Sequence, residues 1–153
     1  MWNPGAPGQA WLGLTINREK TRTVKLNEPG ESLDFLGYTF RYDRDLQGRP
    51  WRYLNVCPSR KSVQRERDKL REMTGPEMCF MPIVALVAQI NEHLRGWSNY
   101  FGRGYPRKAF GQINGFVRER LIGHLQRRSQ RPYRVRGAVS WYEALQRLGL
   151  RPL

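Results

Sequence analysis

The chain has 153 residues, room for one compact domain or two small subdomains sharing a core, and too few for a complete polymerase or a multidomain nuclease. It carries 27 Lys and Arg against 13 Asp and Glu, a formal net charge of +14, so the favoured partner is a polyanion, with nucleic acid foremost. Cys57 and Cys79 stand far apart with no CxxC, which argues against a zinc module or a disulfide framework and leaves both as expected core thiols in a reducing, cytoplasmic setting.

In chain order, residues 1–10 hold Pro4, Gly5, Pro7 and Gly8 with little to bury and read as a flexible lead-in. Three stretches of strand character follow, 14–26, 33–42 and 51–57, the last two separated by a turn-like segment containing Asp43, Asp45, Gly48 and Pro50. They predict a small antiparallel sheet. Pro58 and Ser59 open a helix, with Ser59 as its N-cap, that runs to about Met73 and stops at Gly75-Pro76. A second helix starts near Met81-Pro82, and its Ile83, Val87, Ile90, Leu94, Trp97 and Phe101 draw one apolar stripe along a helix face. The longest apolar run, around residues 78–88, is broken by Pro82 and far short of the ~18 residues that cross a bilayer, so no membrane partner is expected. A third helix carries Phe110, Ile113, Val117, Leu121 and Leu125, with Asn114-Gly115 as its weak point. A short helix over 139–148 puts Trp141, Leu145 and Leu148 on one side. The expected fold is α+β: a small antiparallel β element followed by a mostly three-helix domain.

Charge is uneven. Residues 1–57 hold 8 cations and 6 anions, whereas residues 58–153 hold 19 and 7. Arg60, Lys61, Arg65, Lys69 and Arg71 on the first helix alternate with Glu66, Asp68 and Glu72, a pattern of partial i, i+3 and i, i+4 surface pairing. The stretch 103–136 contains Arg103, Arg107, Lys108, Arg118, Arg120, Arg127, Arg128, Arg131, Arg134 and Arg136 against Glu119 alone. Uncompensated like charges cost stability unless a polyanion uses them, so phosphate contact is the preferred reading of this group.

No set of carboxylates suits a two-metal site: Asp43 and Asp45 read as solvated turn residues, and no metal or other cofactor is expected. His93 and His124 lie on different helices without a nearby nucleophile, which gives no general base a task. Trp97 and Phe101 belong to the apolar stripe, leaving Tyr100 as the aromatic freer to stack on a base.

Three blocks give the chain a family resemblance. Gly13-Leu14-Thr15-Ile16-Asn17-Arg18-Glu19-Lys20-Thr21, Leu33-Asp34-Phe35-Leu36-Gly37-Tyr38-Thr39-Phe40 and Leu94-Arg95-Gly96-Trp97-Ser98-Asn99-Tyr100-Phe101 resemble, in order and spacing, the C-terminal part of group II intron reverse transcriptase/maturases. Ser129-Gln130-Arg131-Pro132-Tyr133-Arg134 resembles the family's C-terminal segment as well. The resemblance implies that residues 11–57 are the end of a polymerase palm, 58–130 a thumb-like maturase domain, and 131–153 a basic C-terminal segment with a short helix. It gives Phe35, Leu36, Gly37, Gly96, Trp97, Tyr100 and Phe101 structural roles.

The chain contains no Tyr-x-Asp-Asp, so no catalysis of its own is expected. The implied function is binding of structured group II intron RNA to assist its folding for splicing, with no small-molecule substrate. The candidate RNA contacts are Arg60, Lys61 and Arg65, then Arg95, Arg103, Arg107, Lys108 and Arg118, and finally Arg127, Arg128, Arg131, Arg134 and Arg136. Three alternatives stay open: one piece of a split RNA-directed DNA polymerase that clamps primer–template beside a separately encoded palm, a non-functional remnant of an intron reading frame, and a generic duplex binder.

Overall fold

The computed structural model describes residues 24–26, 28, 30–45, 47, 49–129, 133–135, 137 and 139–153. The lead-in, the first resemblance block and most of the expected strand 14–26 lie outside the described residues. Strands β1 (Ser32–Phe35), β2 (Tyr38–Arg44) and β3 (Arg52–Pro58) form one antiparallel sheet in that order. Helices α1 (Arg60–Met73), α2 (Ile83–Phe101), α3 (Arg107–Arg127) and α4 (Trp141–Arg147) follow, with a single 3-10 turn at Pro76–Met78 between α1 and α2. The architecture is α+β, as the patterning predicts.

The stretch 33–42, expected as one strand, is folded back on itself. Leu36 and Gly37 sit at φ 49° and 83° between paired Phe35 and Tyr38, giving the two-residue loop with both central residues at positive φ that tight hairpins favour. A leucine at the first loop position hides the turn, because the usual signal there is Asn or Asp. Asp43, expected in a turn, is instead in β2, where it pairs with Arg41 at 3.0 Å and accepts from the Asn55 amide. Cys57 and Cys79 are free and half-buried, not core thiols.

Register places Leu33, Phe35, Tyr38, Phe40, Tyr42, Leu54 and Val56 on one face of the sheet, and Ser32, Asp34, Thr39, Arg41, Asp43, Asn55 and Cys57 on the other. At its Tyr38 end the apolar face meets α2: the Tyr38 ring lies 5.1 Å from that of Phe101. Phe35, Leu36, Tyr42 and Leu54 on the rest of that face and its loop are exposed.

The hairpin loop is bolted to both neighbouring helices. The Gly37 carbonyl accepts from the Ser59 N–H at 2.8 Å and from the Ser62 hydroxyl at 2.8 Å, while the Ser59 hydroxyl caps α1 by accepting from the Ser62 N–H. Tyr100 Oη donates to the Leu36 carbonyl at 2.9 Å, and Tyr38 Oη donates to the Tyr100 carbonyl. The second and third resemblance blocks, some sixty residues apart, therefore meet at one joint.

The core lies among the helices. Val87, Ile90 and Leu94 from the α2 stripe pack with Leu86, with Val63 and Leu70 of α1, with Ile113, Val117, Leu121 and Leu125 of α3, and with Leu145 of α4. Each such side chain contributes about 1.5–3 kcal/mol by leaving water. Gly115 does not break α3, and Asn114 beside it reaches out to the tail: its amide donates to the Leu153 carbonyl and accepts from the Leu153 N–H. Asn91 holds the tail in the same way through the Gly149 carbonyl and the Arg151 N–H. Among the described residues no helix is long and apolar enough to cross a membrane.

A Cβ on Gly37 would stand 2.8 Å from Ser62 Oγ and 3.2 Å from the Phe101 ring at a positive φ. Gly37→Ala should therefore cost about 2 kcal/mol or more in unfolding free energy, measured by urea titration, whereas Gly30→Ala, which meets nothing within 4 Å, should cost less.

Candidate nucleic-acid interface

Helices α1 and α3 run side by side in the same direction, so residues late in one face residues late in the other. Arg67 and Arg71 of α1 lie over the ring of Phe116 of α3 at 5.5 and 5.2 Å from its centroid. Further along, Arg120 donates to the Thr74 hydroxyl at 2.9 Å and to the carbonyls of Arg71 and Thr74. On α1 the seam is drawn by Arg60, Gln64, Arg67 and Arg71, spaced 4, 3 and 4, which puts all four on one helical face. A helix of 14 residues is about 21 Å long, so the seam can follow several phosphates.

Cations crowd its far end. Burial, followed by the positive charges of Arg127 and Arg71, pulls the Arg120 guanidinium below the ordinary arginine value. The same neighbourhood acts on His124, which is fully buried in α3. Burial is the main cause holding its imidazole below 6.5; Arg128, Arg127 and Arg120 add to it, against the opposing influence of the Thr74 backbone. His124 is therefore a neutral core residue, with no access to a substrate proton.

The seam joins only part of the sequence-derived set. It brings Arg60 and Lys108 together at one end and Arg127 and Arg128 near the other. Arg120 is spent on the C-terminal end of α1, where a cation complements the carbonyls. Lys61 and Arg65 point away on the outer face of α1, with Lys69 nearby in a surface pair to Glu72, while Arg71 on the seam side pairs with Asp68. Glu66, expected in that surface pattern, is instead buried 3.0 Å from His93 of α2, and burial raises its carboxyl pKa against the pull of that histidine.

Arg95 lines a separate groove with Arg151 beside the C-terminal tail. Arg103 follows α2 beside Tyr38, and Arg107 begins α3. Arg118 lies over the Tyr142 ring of α4 at 5.9 Å, and Arg134 is exposed beyond α3. Arg131 and Arg136 lie outside the described residues. Tyr100 is half-exposed, but both its hydroxyl and its carbonyl are engaged by the hairpin. Trp97 packs at a tilt against Phe101 and Phe110, 4.9 and 5.6 Å between centroids, and Gly96 opens on empty space. Arg67, absent from the sequence-derived set, was detectable only through its spacing from Arg60 and Arg71.

A family model of the group II intron maturase-specific domain matches residues 63–142, just over half of the chain. The chain belongs to that family. No curated protein matches it. The match starts inside α1 and reaches α4, so it spans most of the helical seam, while the sheet precedes it. In this maturase domain the third resemblance block lies within the match and the second lies before it, joined to it by the Tyr100–Leu36 bond.

Two outcomes test the electrostatic layout. Arg120→Met should destabilise the maturase domain by about 1–2 kcal/mol, because the α1 end carbonyls give up their donor, read by denaturant midpoint. A group with a lowered folded pKa stabilises above its unfolded pKa and loses that stabilisation as pH falls. The thermal midpoint should thus drop below pH 6.5, and the drop should be smaller in His124→Leu.

Proposed function

We propose that this maturase domain binds structured group II intron RNA along the α1–α3 seam and helps the RNA reach its splicing-active fold, with the RNA supplying the chemistry. The maturase-type role comes with the family. The binding mode is supported by one observation, the line of cations from Arg60 to Arg127 that crosses two helices and meets few carboxylates. Recognition led by phosphates and shape suits this surface, because the deep major groove of A-form RNA excludes side chains. Arg60, Lys108, Arg127 and Arg128 are its principal contacts, with Lys61, Arg65, Arg95, Arg103, Arg107, Arg118 and Arg134 as outlying ones; Arg131 and Arg136 are further candidates from the sequence. In this reading residues 11–57 are the end of a palm, 58–130 the maturase domain and 131–153 a basic extension, and the protein works in the cytoplasm without a cofactor.

The exposed apolar residues on the sheet and its loop, Phe35, Leu36, Tyr42 and Leu54, favour a second reading in which a separately encoded palm packs there and the same seam clamps primer–template. A stoichiometric complex with a reverse-transcriptase palm fragment would distinguish it.

The direct test is affinity for a folded group II intron RNA against an unrelated RNA of equal length and a DNA duplex, at two salt concentrations. Preference for the intron that survives the higher salt supports the reading; equal binding that collapses with salt defeats it. Replacing Arg127 and Arg128 by Gln should lower the log-log salt slope by roughly one unit for each phosphate that is no longer neutralised.

A further inference from the structure

At the start of the seam, where β2 and β3 abut α1 and α3, a cleft of about 410 Å³ is lined by Arg41, Arg60, Arg67 and Lys108, with Cys57 and Gln112 beside them. The four cations come from β2, α1 and α3, elements that only the finished fold brings together. Arg41 is neutralised by Asp43. Among the described residues Arg60, Arg67 and Lys108 have no acidic partner, so the cleft keeps three unbalanced positive charges. Arg67 is the most telling. Its guanidinium is set over the Phe116 ring, and its Nε is enclosed by protein with no hydrogen-bond partner. A half-buried guanidinium without an acceptor is costly; the enclosed Nε stays unpaired, but an anion at the terminal nitrogens would offset part of the cost of holding the charge there.

From this geometry we infer that the cleft is a phosphate site, in which one phosphodiester of the bound RNA sits between Arg60, Arg67 and Lys108. The inference rests on the RNA-binding reading and fixes one contact within it. Arg67 supplies a preset fork for two phosphate oxygens, whereas Lys108 acts as a point charge. Asp34 and Asp43 line the adjoining cleft on the polar side of the sheet, so a phosphate is held toward the helices and away from the strands. Cys57 lines both clefts and reports on occupancy.

The test uses the full chain, with Cys79 as internal reference, and follows alkylation of Cys57 by a small maleimide. An RNA duplex is expected to slow reaction at Cys57 at least tenfold and to leave Cys79 unchanged, and tripolyphosphate should protect only weakly. Arg67→Lys keeps the charge and loses the fork, and should weaken RNA binding about tenfold. Lys108→Met, at an exposed position that should not disturb folding, should lower the salt slope by roughly one unit. Arg49→Gln, a turn residue paired with Asp45, should change neither.

RNA binding of normal strength with Cys57 unprotected and both variants unaltered would overturn the site while leaving RNA binding intact. Failure of the wild-type chain to bind RNA, with Cys57 protected by tripolyphosphate, would instead overturn the assignment of the phosphate to RNA and give the cleft to a free polyphosphate.

Discussion

The carbonyl of Gly37 is the point on which the arrangement depends. It accepts two hydrogen bonds from the first turn of α1, one from the Ser59 backbone and one from the Ser62 side chain. Through them the hairpin fixes the position and direction of α1, and hence where Arg60 and Arg67 stand relative to Arg41. The geometry leaves little slack, because only a residue without Cβ can approach Ser62 and Phe101 this closely at positive φ. Leu36, held at φ 49°, bears a local strain that the Tyr100 hydroxyl helps to hold in place.

Beyond that joint, apolar burial and charge are divided between surfaces. The helices turn their apolar stripes toward one core and leave their cations at the seam between α1 and α3, where Phe116 separates Arg67 and Arg71 from the interior. Stacked guanidinium groups are held in place without being neutralised by the ring, which suits the polyanion contact proposed for this surface. The accompanying self-repulsion means that bound polyanion should add to stability as well as occupy a site.

The parts legible in the sequence are those governed by a repeating spacing. The α2 and α3 stripes could be read because a buried helix face obeys the 3.6-residue period whatever packs against it, and Ser59 could be read as a cap because capping is local. The hairpin at Leu36-Gly37 could not, since its first residue contradicts the turn signal and its carbonyl is held by Tyr100, from a distant block. The burial of Glu66 and of His124 is not legible in the sequence because it depends on α2 and on the far end of α1. The interface was legible as a quantity of charge but not as a surface. Nothing near Arg120 in the chain reveals that it is consumed by α1, and Arg67 gains its meaning from Lys108 and Phe116, about forty to fifty residues away.

The C-terminal tail is held by two asparagines, each presenting an amide donor to a backbone carbonyl and an amide oxygen to a backbone N–H. The side-chain amide plays both parts, so the clasp is vulnerable to chemical ageing. Hydrolysis of Asn114 to aspartate would exchange the donor for a second negative oxygen facing the Leu153 carbonyl, turning attraction into repulsion. Asn-Gly is the dipeptide in which that conversion runs fastest in an unstructured chain, because glycine leaves the following nitrogen free to attack. Here the regular backbone of α3 keeps that nitrogen out of reach. The helix thus protects its own clasp, and the tail's attachment lasts as long as α3 stays wound around residue 114.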